Sequence, residues 1–405
     1  MKKLFSRMNT NDRQAIVLVG VNGFFWFAWA FGCYQAVYLQ GVGFSASSMG
    51  VVNALSSVVG IASVSFWGMA SDRMGSLRKV LITVLIGGSL MYALIPLVPV
   101  EFRGSPVLLM CYIPAVCFFR SSMSPYAENL LVRNCNELRL NFGVLRSLGS
   151  FLFTIGSLII AAWLPSLGVR NTFWVTGLFI LIPIIMTFFA REPAARVPAK
   201  KGEKRSMNLG ELFKNKAYMA FLGFGFIFYI AVACEGNFLP YYMASIGVDS
   251  KQYGIILALR ATMEIPFLLF MIRLRRRFPL RVLILGSSLL MGIECIGLGL
   301  LANSLPTMML FCMFFGLGNG LFIGSSLNYV YELAPSHLKA SAQAFFTSMS
   351  SVAGILGNLA GGAVFDAIGA KTFYLTVSAL FVLSAGVFLL SFKGKRENTE
   401  VPGQN

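Results

Sequence analysis

Gly68-Met-Ala-Ser-Asp72-Arg73-Met-Gly75-Ser-Leu-Arg78-Lys79 is a short basic segment with one acid and two glycines, set between two long apolar runs, Ala46 to Met69 and Val80 to Val100. Each run has the roughly 20 predominantly apolar residues that a helix needs to cross the hydrocarbon core of a bilayer. The segment between them has room only for a tight, glycine-containing turn. The chain therefore leaves one span and re-enters the next in the opposite direction, with charge confined to the connection.

Reading outward from that turn, ten further runs of spanning length appear. The first half adds Ala15 to Gln40, Pro106 to Leu131, Leu140 to Trp163 and Thr172 to Ala190; the second holds Ala217 to Met243, Gln252 to Ile272, Leu280 to Ala302, Thr307 to Tyr331, Ser341 to Phe365 and Thr372 to Phe392. Composition agrees, since 57% of the chain is hydrophobic and only 12% charged, more apolar surface than a water-soluble fold of 405 residues could cover. The expected fold is an all-α membrane protein of twelve transmembrane helices in two six-helix bundles. The expected division is 1–190 for the N-terminal bundle, 191–216 for a cytoplasmic linker, 217–392 for the C-terminal bundle and 393–405 for a cytoplasmic tail. The linker carries eight Lys or Arg and two early prolines. Internal symmetry is weak: the counterpart of the Gly68 turn in the second half is Arg273, Arg275, Arg276 and Arg277, which keeps the charge but has no Asp.

Lys and Arg near span ends accumulate on the cytoplasmic side of a membrane. The N-terminal segment, the turns on its side, the linker and the tail hold 26 of the 33 basic residues, and the opposite loops hold four, Arg103, Arg170, Lys251 and Lys371. Both termini are thus expected in the cytoplasm of a cell whose inner membrane holds the chain. The formal charge of +17 is spread over these loops, which argues for topology and against nucleic acid. The positive start leads into an apolar run too long for a signal peptide, so it reads as a retained first helix. Six of seven cysteines, Cys33, Cys111, Cys117, Cys234, Cys295 and Cys312, fall in spans and Cys135 in a loop; they frame neither a disulfide nor a zinc site. There is no phosphate-binding Gly-Lys-Ser/Thr motif, and the one histidine, His337, reads as a loop residue. No enzyme, cofactor or metal site is expected; the expected partners are lipid, a proton and a small-molecule substrate, with the chain acting as a monomer.

Seven ionisable residues lie inside the spans: Arg120, Glu128, Arg146, Glu235, Arg260, Glu264 and Glu294. A charge at a helix centre costs about 2.5–3.5 kcal/mol on insertion scales, so such residues face a partner or a water-filled cavity. Antiparallel neighbours convert sequence distance into depth. Glu128 and Arg146 lie nine residues to either side of Glu137 and so share a depth; the same reflection sets Arg260 beside Glu294 and close to Glu235. Arg260 and Glu264 are four apart on one helical face. One guanidinium among three carboxylates is an excess of acid, as a proton carrier requires. The bland alternative is a structural network that only holds helices together, and it is the preferred reading for Glu294.

These features resemble the major facilitator superfamily. Gly68, Asp72, Arg73 and Gly75, with Arg78 and Lys79 slightly displaced, are similar to its loop between helices two and three, whose Asp caps the next helix and pairs with basic residues to latch the cytoplasmic side. Pro125-Tyr-Ala-Glu128, followed by Arg146 in Phe142-Gly143-Val-Leu-Arg146-Ser-Leu-Gly149, resembles the hairpin of the lactose permease type, the oligosaccharide:proton symporters, and also the phenylpropionate permease branch. That resemblance implies proton-coupled uptake of a small polar solute, a sugar or glycoside, with Glu128 and Arg146 binding hydroxyls. A guanidinium fork and a carboxylate suit adjacent hydroxyls. Glu264 in Ala261-Thr-Met-Glu264 resembles the acidic residue of helix eight, and Phe365-Asp366-Ala-Ile-Gly369 resembles the turn between helices eleven and twelve. The chain departs from these relatives at Phe153, where they carry Trp, at Glu294, where they carry Arg, and on helix ten, where Phe315-Gly-Leu-Gly318-Asn319 lacks their His and Glu. Glu264, with Arg260, Glu235 and Glu294, is then the candidate coupling group. Alternatives are import of an aromatic carboxylate bound by Arg146 and Arg120, or efflux of amphipathic drugs. Phe24, Trp26, Trp29, Tyr34 and Gln35 of the first span are candidates for the cavity wall. Asn237, Asn319, Asn328 and Asn358 either line its other side or bridge helices.

Overall fold

The computed structural model describes residues 10–101, 105–193, 210–335 and 337–393. The middle of the expected linker and the expected tail lie outside these residues. Twelve helices long and apolar enough to cross a membrane are present: α1 Asn11–Gly41, α2 Ala46–Met74, α3 Leu77–Leu97, α4 Val107–Leu138, α5 Phe142–Leu167, α6 Val169–Phe189, α7 Lys216–Asn237, α8 Tyr253–Arg277, α9 Leu280–Leu300, α10 Leu305–Leu333, α11 Ser341–Ile368 and α12 Ala370–Leu390. Helices satisfy their own backbone groups, which lipid cannot do. The fold is thus the expected twelve-helix one. Cys135, expected in a loop, is instead buried within α4, which runs three residues past it.

The deciding turn shows how these sequences start and stop helices. Gly75 ends α2 in the left-handed conformation, φ 58°, which costs glycine nothing. Ser76 then caps α3 by accepting from the Lys79 amide at 3.1 Å. Asp72, expected to cap α3, sits exposed in the last turn of α2. The capping acid is Glu192, after α6: it accepts from Leu77 N at 2.7 Å and from Ser76 Oγ at 2.6 Å, and lies 3.8 Å from Arg78 Nε. A carboxylate placed on the free N–H groups of a helix start is favoured by the helix dipole, and Glu192 arrives there because α6 packs against α3.

The six-helix pattern repeats. In the first half α1 packs on α5 and α6, α4 on α2 and α3, and α3 on α6; in the second α7 packs on α11 and α12, α10 on α8 and α9, and α9 on α12. The halves meet through α2 with α11 and α5 with α8, which the same repeat relates. Two helices break at corresponding places, α1 at Cys33–Tyr34 and α7 at Phe238, after which a short helix Leu239–Ser245 continues. Paired broken helices at the interface of repeats are how transporter folds expose backbone to a central site.

Among the described residues, every hydrogen bond between the halves lies at the end away from the Gly75 turn. Asp366 of α11 accepts from Ser47 N at 2.8 Å and Ala46 N at 3.3 Å, capping α2 across the interface. Tyr241 Oη donates to the Phe44 carbonyl at 3.0 Å. Tyr34 Oη accepts from Gly254 N at 2.7 Å and donates to the Lys251 carbonyl at 3.0 Å. Gly254 is a glycine by necessity, since a Cβ there would meet the Ser157 carbonyl and lie 2.7 Å from Tyr34 Oη. A groove of about 510 Å³ lies between the middle of α2 and the first half of α11, on the Gly75 side of these bonds. Among the described residues, hydrogen bonds tie the halves together at that one end, the sealed end, and not at the other.

Candidate functional site

Between the halves lies a cavity of about 390 Å³, with Trp26 of α1, Arg146 and Phe153 of α5, Asn237 of α7, Arg260 and Glu264 of α8, and Phe315 and Asn319 of α10 in its wall. Arg146 and Glu128 come together as their shared depth requires: Arg146 Nε donates to Glu128 Oε1 at 3.1 Å, and Nη1 to Ser150 Oγ at 3.3 Å. The guanidinium lies 4.8 Å from the centroid of the Trp26 ring, whose edge meets Phe153 at 6.4 Å. The Arg146 and Glu128 side chains are 19% and 38% exposed; Arg146 lines the cavity, whereas Glu128 is held by it without forming part of the wall. One group beside the expected Trp26 was not foreseen from sequence. Asn22, one turn before Trp26, is 1% exposed with both amide atoms unpartnered, as is the Trp26 indole N–H. Gly149 lets α5 approach them, since a Cβ there would come within 2.8 Å of the Trp26 ring. The i, i+4 spacing of an amide and an indole in an apolar span was the available signal.

On the other side, Arg260 donates to both Glu235 and Glu294. Both carboxylates are fully buried, and Arg260 is 7% exposed and lies 4.3 Å from the Phe315 ring centroid. The reflected depths were therefore right for this cluster as well. Glu264 does not join it. Although one turn from Arg260, it accepts from Asn319 Nδ2 at 2.9 Å and faces the cavity. The structure thus separates a buried ionic cluster, two acids to one base with only the base reaching the cavity wall, from a single carboxylate with a neutral partner on that wall.

The aromatic stretch of α1 divides three ways. Trp26 lines the cavity, as expected. Tyr34 does not: it is fully buried in the sealed end, because the helix break at Cys33 turns it toward α8. Phe24 packs against the core and edge-on to Phe27. Trp29 and Gln35 serve Arg120, whose Nη1 donates to Gln35 Oε1 at 2.8 Å and whose guanidinium lies 4.4 Å from the Trp29 ring centroid. Asn237 both lines the cavity and bridges to Asn358 at 2.7 Å; Asn328 accepts from Arg275 at 3.0 Å and lines nothing central. Among the described residues there is no cluster of ligands able to hold a metal.

The chain and its fold have counterparts among known proteins. The chain is 24% identical over 369 residues to the uncharacterized transporter YwbF of Bacillus subtilis (strain 168), covering 87% of this chain and 86% of that one. It is 23% identical over 375 residues to maltose permease of Geobacillus stearothermophilus, covering 90% of each. Its fold matches the crystal structure of nucleoside transporter NupG with a TM-score of 0.75 at 17% identity, over 95% of this chain and all of that one. An inward-facing bacterial homolog of the lysosomal transporter Spinster matches with a TM-score of 0.69 at 14% identity, over 95% and 97%. These likenesses reach across transporter branches and do not single out the lactose permease or phenylpropionate type. The MFS_1 like family model covers residues 20–376, so the chain belongs to that family: it is a transporter of the major facilitator superfamily, not an enzyme, and moves a small solute across a membrane.

Proposed function

We propose that this transporter takes up a small hydroxylated solute, of the sugar or nucleoside kind, in symport with protons. One observation carries the reading: Arg146, in the wall of a cavity of about 390 Å³ beside the Trp26 ring, holds Glu128 at 3.1 Å. A guanidinium fork and a carboxylate engage vicinal hydroxyls from both sides, and an indole offers a face to an apolar ring surface and an N–H to a further oxygen. The printed names of relatives, a maltose permease and a nucleoside transporter among them, agree with such a solute.

The basic loops orient the Gly75 end toward the cytoplasm, so the conformation is open inward, with the chain in the inner membrane as a monomer. Alternating access then consists of breaking the Asp366, Tyr34 and Tyr241 contacts at the outer end and closing the Gly75 end, where Asp72, Arg73, Arg78 and Lys79 form the latch. Asp72 has no ion pair among the described residues in this open state, as a released latch should. Glu264 is the proton carrier: it faces the cavity and is held by an amide that can remain bonded to either protonation state. Accumulation of labelled sugars and nucleosides in proteoliposomes, with and without an inward pH gradient, tests the reading. Uptake of some member of the panel that is driven by the gradient is expected; failure of every sugar and nucleoside to enter would refute it.

A further inference from the structure

Arg120 is the intramembrane charge for which the site above has no use. It lies half-buried near the middle of α4, and among the described residues no carboxylate pairs with it. Its contacts are neutral: Gln35 Oε1 at 2.8 Å, the Trp29 ring at 4.4 Å and the Tyr92 ring at 4.9 Å. Rings on a cation contribute about 0.5–2 kcal/mol each and hold the guanidinium in place, but they leave its charge uncompensated at a depth where charge is costly. An arginine has five N–H donors, and Gln35 occupies one of its nitrogens.

The guanidinium opens onto a pocket of about 190 Å³ between the break of α1, α2, α4, α7 and the start of α8, with Cys33, Gln35, Asn53, Asn237 and Tyr253 as its other polar side chains and no carboxylate in its wall. Asn53 Nδ2 is buried and without a partner, a second donor beside the cation. The volume equals about six waters at ~30 Å³ each, room for a carboxylate or phosphate group. Gly236, Asn237 and Tyr253 line both this pocket and the central cavity, so the two adjoin.

We infer that this pocket is an oxyanion subsite: Arg120 and Asn53 bind a carboxylate or phosphate group of the transported solute, whose hydroxylated part lies at Arg146 and Glu128. The second half of that statement rests on the proposed function; the anion site itself does not. Trp29, in contact with Arg120, is the natural reporter. Its emission is taken as the difference between the full-length protein and its Trp29→Phe variant, and is titrated with glucuronate, glucose and inorganic phosphate. A saturable response to glucuronate at concentrations at least tenfold below glucose is expected, weakened tenfold or more in Arg120→Gln and partly in Arg120→Lys, which keeps the charge but loses the fork. A response to phosphate alone with the same Arg120 dependence supports the subsite and assigns it to a free anion rather than to a group on the solute. No saturable response to either oxyanion, or one that persists in Arg120→Gln, overturns the inference. Failures are separable: sugar or nucleoside uptake without a Trp29 response refutes the subsite alone, and a Trp29 response in a protein that moves neither refutes the solute reading alone.

Discussion

Tyr34→Phe should shift the protein away from the state sealed at the end opposite the Gly75 turn. The hydroxyl accepts from Gly254 N at 2.7 Å in a fully buried setting and donates to the Lys251 carbonyl at 3.0 Å, tying α1 of one half to the start of α8 of the other. Phenylalanine keeps the ring, its edge-on packing against Tyr253 at 5.8 Å and nearly all the volume. What changes is that the Gly254 amide becomes a buried donor without an acceptor, which costs about 1–3 kcal/mol. Once the halves part at this end, water reaches the amide and the cost disappears, so it bears on one state only. The ratio of sealed to open should fall by about 5- to 150-fold. Tyr241→Phe is the control: it removes the Tyr241 donor from the Phe44 carbonyl, and an under-satisfied buried carbonyl is tolerated more readily than an orphaned amide. Spin labels at Ser166 and Asn303, exposed on the two halves at this end, would report the separation by double electron–electron resonance, with the exposed Cys111 replaced. A longer-distance population is expected in Tyr34→Phe and a smaller one in Tyr241→Phe. Distance distributions identical to wild type in both, in folded protein, would refute the assignment of Tyr34 to the gate.

Arg146→Lys keeps the charge at the Glu128 pair but loses the planar fork, so solute binding measured by calorimetry should vanish while the protein folds; wild-type affinity would remove Arg146 as a ligand. Arg260→Met leaves Glu235 and Glu294 buried together without their cation and should destabilise by about 3–5 kcal/mol, seen as a large drop in thermal midpoint. Glu264→Gln, which retains the Asn319 contact but cannot release a proton, should exchange solute across the membrane yet fail to accumulate it when an inward pH gradient is imposed. Accumulation undiminished in that variant passes the role to Glu235. Asp72→Asn and Glu192→Gln separate two jobs: the second should cost about 0.5–2 kcal/mol of stability through the lost α3 cap, whereas the first should leave stability unchanged and slow transport, and equal melting of the two would undo the distinction.

The sequence by itself determined the twelve spans and the depth of the charges within them. Hydrophobicity over about 20 residues is a local property that lipid reads directly, and each connection between antiparallel helices acts as a mirror, so Glu128 and Arg146, and Arg260 with Glu235 and Glu294, could be matched by counting alone. Direction around each helix axis was a different matter. Arg260 and Glu264 are one turn apart, yet α8, packed on α10 and α5, gives the first to the acids of α7 and α9 in a buried ionic cluster and the second to Asn319. Tyr34 left the cavity wall because α1 breaks at Cys33, and no composition marks that break. Glu192 took the cap expected of Asp72 because α6 returns beside α3. Which end is sealed could not be read from the chain either, since both states of a rocking pair of bundles use the same spans. Their difference lies in a few contacts between halves, Asp366 on the start of α2 and Tyr34 on Gly254, made by residues that only tertiary packing brings within 3 Å.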